Sequence, residues 1–295
     1  MDARYEEKTF ESYFNNELDR KTSIYFPLGQ VQEGVLGIDS AANSSDWLLW
    51  DEFGWVFPRL QGVDLRMVAD EMEDYLKKKV QNIPPIKVNV LFQYKRPAVI
   101  SRSNGKEWDH WKQKYYRYEL YAEQHDLLAH LEKSFGAEAI VLYAAPAVDN
   151  IDDLVKIKQK NEIIKNTNFR RASELNGHHR NTYVKSGTYS FACSDPERID
   201  NFDLLELFER TEMSRQGTNN KIIVNFASRT MNAMEISAYV KTAVEARLED
   251  IQEFKRFELL YAFLSMSVFR EITGAQWLTV LTKQKTLEIE GTRNS

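Results

Sequence analysis

A single cysteine, Cys193, is all the thiol that this chain of 295 residues carries. An intramolecular disulfide is excluded, as is a zinc site built from cysteines, and a reducing, cytoplasmic setting is expected. Long apolar runs are missing too. No stretch approaches the roughly 18 residues that a membrane-spanning helix needs. The start, Met1-Asp2-Ala3-Arg4-Tyr5-Glu6-Glu7, is acidic where an export signal would be basic and then apolar. The expectation is a soluble chain with no membrane partner. A Gly-x4-Gly-Lys-Ser/Thr loop is absent, which argues against a nucleotide-binding phosphate enzyme. So is a Gly-x-Ser-x-Gly elbow, and Cys193 has no assignable His partner, so nucleophilic serine or cysteine chemistry is unsupported. Neither internal repeats nor low-complexity tracts occur.

What the chain does contain is enough apolar and aromatic material for a substantial core, and its length suits about two domains. The formal net charge of -5 conceals an uneven distribution. Lys77 to Arg117 holds eleven basic residues against Glu107 and Asp109, and Lys156 to Lys185 holds eight against Glu162 and Glu174. Such asymmetry suits one phosphate-facing region with acidic, solvated surfaces elsewhere. Ordinary solvated faces are the plainer alternative.

The most informative stretch is Val90-Leu91-Phe92-Gln93-Tyr94-Lys95-Arg96. It begins as an apolar strand, and strand alternation sends Gln93 and Lys95 to one face and Phe92 and Tyr94 to the other. A core strand has no packing reason to carry two polar side chains there. Upstream, Glu33-Gly34-Val35-Leu36-Gly37-Ile38-Asp39 reads as a carboxylate, a glycine-bearing turn and a strand presenting a second carboxylate. Glu33 and Asp39 offer hard oxygen ligands of the kind that hold Mg²⁺, and Lys95 supplies a fixed positive charge for a reacting phosphate.

Glu-x3-Gly-x-Asp followed by Gln-x-Lys on the next core strand resembles the PD-(D/E)XK nuclease superfamily. The resemblance covers roughly residues 30 to 148. It implies an α/β fold, a restriction-endonuclease-like mixed sheet flanked by helices, here with a mostly helical C-terminal region. It also implies a metal-dependent endonuclease that cleaves DNA, with Glu33, Asp39 and the Gln93 position holding Mg²⁺, Mn²⁺ as a substitute, and Lys95 acting on the attacking water or the phosphate. Gln93 departs from the usual acid at its position, and a neutral ligand holds a cation less strongly, which makes Glu33 more necessary. Arg96 is assigned either to support of the site residues or to substrate. Gln124, on the following helix, either borders the site or is a helix-end polar residue without a role. By analogy, defence against phage or restriction in bacteria is the expected biology. A catalytically inactive nuclease-like module that binds nucleic acid or protein is the alternative.

The rest of the chain is read from its periodicity. Phe10, Tyr13, Phe14 and Leu18 share a stripe of a first helix over residues 4–20. Glu11 and Glu17 on that helix either assist the metal, as the resemblance allows, or are surface carboxylates. The aromatic run at 46–58 reads as a packed strand or hairpin, with base stacking as the other use of such residues. A helix is expected over 64–79, a strand over 88–95, a loop or lid over 101–116, a helix over 117–135 and a buried strand over 139–145. His178 and His179 point apart if they lie in a strand and complete no metal set, leaving a phosphate contact or plain surface. Residues 1–150 are therefore taken as the nuclease-like core, 151–200 as a basic extension with a hairpin, and 201–295 as the helical region. The apolar face of Leu259, Leu260, Phe263, Leu264, Val268 and Phe269 must be covered by the core, by a neighbouring helix or by a second copy in a homo-oligomer.

Overall fold

The computed structural model describes residues 2–25, 65–185, 189–193, 196–213, 217–236 and 240–283. Glu33, Asp39 and the aromatic run at 46–58 lie outside the described residues. Ten strands occur among them: β1 (Ile24–Tyr25), β2 (Ile86–Tyr94), β3 (Ala98–Ile100), β4 (Tyr115–Glu119), β5 (Ala139–Pro146), β6 (Thr167–Arg171), β7 (Arg180–Tyr183), β8 (Tyr189–Ala192), β9 (Glu197–Asp200) and β10 (Gln276–Leu281).

The central sheet has the order β1-β10-β2-β5-β6. Only β2 and β5 are parallel, in the register Gln93 opposite Tyr143; every other pairing in the sheet is antiparallel. The architecture is α/β with a mixed sheet. β2 and β5 are almost wholly buried, and the continuous apolar run of β5, like Val90-Leu91-Phe92 within β2, follows from being covered on both faces. On one face Phe92 and Tyr94 meet the first helix, Glu7–Lys21. Its Phe10 and Phe14 fall one turn apart on one stripe. Phe14 meets Phe92 edge-on at 5.3 Å and Phe10 meets Tyr94 at 5.8 Å. On the other face Leu91, Val141 and Trp277 pack against four helices, Ala69–Asn82, Ala122–Phe135, Asn219–Ile236 and Glu258–Thr273.

The C-terminal region does more than add helices. β10 returns to the middle of the central sheet, antiparallel to β2, with Trp277 opposite Leu91. Its apolar run fits the filled centre of a sheet, yet the helix before it is apolar almost all round, so no change of period marks the passage from one to the other. That helix, Glu258–Thr273, buries Leu259, Leu260, Phe263, Leu264, Val268 and Phe269 within the chain. The face that suggested a second copy is covered by the chain's own helices, and the motive for a homo-oligomer goes with it. The helix also needs its N-terminal amides satisfied. Buried Glu73 accepts from Leu259 N and Leu260 N at 3.1 and 2.9 Å. Glu73→Ala should lower stability by about 1–2 kcal/mol, the usual cost of losing an N-terminal cap; a denaturant midpoint equal to wild type would show the contact to be idle.

A second sheet, β3-β4-β7-β8-β9, is antiparallel throughout. Here the structure corrects the expectation of a loop or lid over 101–116. A short helix, Trp108–Trp111, and the start of β4 occupy that region, and Trp111, Tyr115 and Tyr116 are buried. The aromatics that looked like exposed loop residues make this sheet's core: Trp111 stacks on Tyr189 at 5.3 Å and Tyr116 on Tyr183 at 5.5 Å. The helix expected from residue 117 begins at Ala122, because Tyr115–Glu119 is needed as a strand beside β7. Among the described residues no helix is long and apolar enough to cross a membrane.

Candidate functional site

The C-terminal end of β2 opens into a cavity of about 500 Å³, lined by Glu7, Gln93, Lys95, Tyr121, Gln124 and Gly274 among others. The ladder continues one residue past β2, since Lys95 N donates to Ala144 O at 3.0 Å. The pleat therefore still dictates direction at Lys95. Phe92 and Tyr94 are buried against the first helix, and Gln93 and Lys95 emerge on the opposite face.

Lys95 is only 8 % exposed, although it is a lysine. Its Nζ donates to Gln124 Oε1 at 3.1 Å and lies 5.0 Å from the Tyr121 ring centre and 5.8 Å from that of Tyr143. Among the described residues no carboxylate comes within ion-pair distance of it. Burial depresses its pKa to about 8, with the Glu7 carboxylate opposing the fall. Glu7 moves the other way: burial raises its carboxyl above the ordinary value against the pull of Lys95. Both groups are thus drawn toward neutrality across one pocket, the kind of perturbation that concentrates at functional sites.

Gln124 is held from both ends. Its Nε2 donates to Thr273 O at 2.6 Å, which leaves Oε1 as the acceptor for Lys95. Thr273 ends the helix Glu258–Thr273, so the negative end of that helix dipole borders the pocket and favours a cation there. Gly274 turns the chain away in the left-handed region, φ 71°, a conformation that glycine adopts freely. Gln93, 4 % exposed, makes a long 3.3 Å donation to Tyr94 O, and among the described residues its Oε1 has no hydrogen-bond partner. A buried acceptor left unsatisfied is costly.

Arg96 sits at the rim. Its backbone N donates to Glu7 Oε2 at 3.0 Å, and its guanidinium reaches Tyr5 O at 3.3 Å with looser approaches to Asp2 and Glu6. The acids of the first helix are placed differently from one another. Glu17 is buried and accepts from Ile163 N at 2.7 Å and Lys21 at 2.6 Å, a capping role far from β2. Glu11 pairs with buried Arg270. Glu7 is the first-helix acid that lines the cavity. Nothing in the sequence separates Glu7 from Glu6 or Glu11; only the angle at which the helix crosses β2 selects it.

His178 lies 3.4 Å from Glu197, and His179 faces Arg180 at 2.6 Å, so both are spent at the edge of the second sheet. A larger concavity, about 670 Å³, is lined by Arg4, Arg102 and Lys114, but Lys114 is bonded to Asp149 at 2.9 Å. The perturbed groups are in the smaller one. Compared with protein-family models, curated proteins and solved structures, the chain matches none.

Proposed function

We propose that this chain is a metal-dependent endonuclease that hydrolyses DNA phosphodiester bonds, on a sheet of the restriction-endonuclease kind. The observation that carries the reading is the buried Lys95 amine at the end of β2, held by Gln124 beside the unpartnered Oε1 of Gln93. A buried lysine with no carboxylate at ion-pair distance among the described residues is a burden on stability, and such burdens are kept where chemistry needs them.

The donor set decides how a metal would be held. Among the described residues no group of three or more His, Cys, Asp and Glu gathers. The cavity is lined by three carboxylates, of which Asp2 faces Arg96 and Glu119 faces Arg117, while Glu7 stands beside Lys95; with the amide oxygen of Gln93 these are hard donors suited to Mg²⁺ or Mn²⁺. They begin a coordination shell without completing it, and the reading assigns the remaining oxygens to Glu33 and Asp39. A cation bound there supplies an acidified water and neutralises charge on the phosphate. Lys95, aimed by Gln124, would orient an attacking water or stabilise the negative charge that develops on a phosphate oxygen. Arg96 at the rim takes a neighbouring phosphate, a contact that positions the strand without reading its bases. By analogy alone the biological role is bacterial defence against phage, or restriction.

The test is incubation of the purified protein with plasmid and linear DNA in Mg²⁺, Mn²⁺ or EDTA. Metal-dependent cleavage that disappears in Lys95→Ala supports the reading. Metal-independent binding without cleavage supports a catalytically inactive nuclease-like module instead. Gln124→Ala should reduce the cleavage rate about 10–100-fold, as loss of a residue that orients a catalytic group does, while leaving DNA affinity close to wild type; an unchanged rate would remove Gln124 from the site.

A further inference from the structure

Tyr121 is out of keeping with the tyrosines around it. Tyr115, Tyr116, Tyr118 and Tyr143 are buried, whereas Tyr121 is 70 % exposed, one of the few large hydrophobic residues so placed. It stands immediately before the helix Ala122–Phe135, three residues from Gln124, and lines the same cavity as Lys95. Its ring lies 5.0 Å from Lys95 Nζ, so the ring is anchored on its inner side by the lysine while most of the residue remains in solvent. Packing gives no reason for an aromatic there, because a polar residue would serve the helix start better.

An aromatic face beside a phosphate-directed lysine matches the geometry of a nucleotide, in which a base lies a few ångströms from its own phosphate. Paired bases inside a duplex are already stacked and offer no free face. We propose that Tyr121 is a stacking platform for an unpaired base next to the scissile phosphate, so that the preferred substrate is single-stranded DNA or a duplex with a frayed, flapped or extruded nucleotide. The inference rests on the phosphodiesterase reading and adds to it the strand state of the substrate. Arg96 lines the same cavity at its rim, and its looser approaches to Asp2 and Glu6, 3.8 and 3.7 Å, can be exchanged for a backbone phosphate, the usual companion of stacking in single-strand recognition.

The experiment uses the full chain with Lys95 retained, in EDTA so that no metal-dependent cleavage occurs. Fluorescent 12-nucleotide DNA is titrated as a single strand and as a duplex. Tyr121→Ala should weaken single-strand binding roughly tenfold, within the range that one base–aromatic stack contributes, and leave duplex binding unchanged. Tyr121→Trp should restore the affinity. Because the residue is exposed, neither variant should alter thermal stability. Unchanged single-strand affinity in Tyr121→Ala, or failure of Trp to restore it, overturns the platform; Mg²⁺-dependent cleavage by the otherwise wild-type protein then leaves the nuclease reading standing. Absence of both DNA binding and cleavage overturns the nuclease reading, and the platform with it.

Discussion

Lys95→Met is expected to do two opposite things: to abolish Mg²⁺-dependent cleavage and to make the protein more stable. Removing one preorganised charge from the reacting phosphate costs about 10²–10³ in rate. The stability gain follows from the depressed pKa. A lysine at about 8 in the folded chain against 10.5 in the unfolded chain binds its proton less tightly when folded, so folding must work against the charge at every pH below 8. At 1.36 kcal/mol for each pKa unit the cost is on the order of 3 kcal/mol at neutral pH. Methionine keeps the stem and removes the charge, but it strands Gln124 Oε1 without a donor, which returns about 1 kcal/mol. A net gain of about 1–2 kcal/mol remains.

The sign with pH is determined by the same shift. Between about 8 and 10.5 the unfolded chain holds the proton that the folded chain has released, so wild-type stability rises with pH through this window as far as Lys95 is concerned. Buried tyrosines such as Tyr5 and Tyr25, whose pKa values burial pushes up, act in the opposite direction in both proteins. They cancel in the difference. Urea titrations of wild type and Lys95→Met at several pH values between 7 and 10.5 should converge as pH rises; parallel curves would mean that Lys95 is not desolvated as the structure has it.

The second large effect is expected at Trp277. The side chain is fully buried in β10, donates from Nε1 to Asn89 Oδ1 at 3.0 Å, and lies 5.4 Å from Phe226 and 6.1 Å from Phe263. Trp277→Ala opens a large cavity at the junction of β2, β10 and two helices. The loss should be about 3–5 kcal/mol, a substantial fraction of the margin by which domains are folded. Trp277→Phe should recover most of the packing but leave Asn89 unpaired, for an intermediate loss. A loss below about 1 kcal/mol for the alanine variant would contradict the place of β10 in the sheet.

The sequence disclosed the parts of this fold whose patterns repeat. β5 is a continuous apolar run between polar boundaries, β2 is apolar through Val90-Leu91-Phe92, and the stripe of Phe10, Phe14 and Leu18 has helical period, so each announces its own geometry. The polar pair Gln93 and Lys95 stood out because it interrupts an apolar strand, and Gln124 because it lies at the start of the next apolar helix face. The three line one cavity. The second sheet was illegible for a physical reason: its strands are three to five residues long, too short to show alternation, and they carry the aromatics that also occur in loops. β10 was hidden by the apolar helix before it. Glu7 was hidden because a residue's distance to a strand 88 positions away depends on a crossing angle and not on any local pattern.

The place of β10 also bears on when the site comes into being. The pocket at the end of β2 takes Thr273 and Gly274 as part of its wall, and the strand that adjoins β2 on one side follows directly after them. Trp277 and its partner Asn89 are 188 positions apart, so a ribosome must add nearly all of that intervening chain before β2 can acquire its neighbour. Until then β2 presents an unpaired edge, the exposed template that invites aggregation of nascent chains. A growing polypeptide of this sequence therefore lacks part of the pocket wall through most of its synthesis and is also at its most vulnerable, and both conditions end with the same few residues.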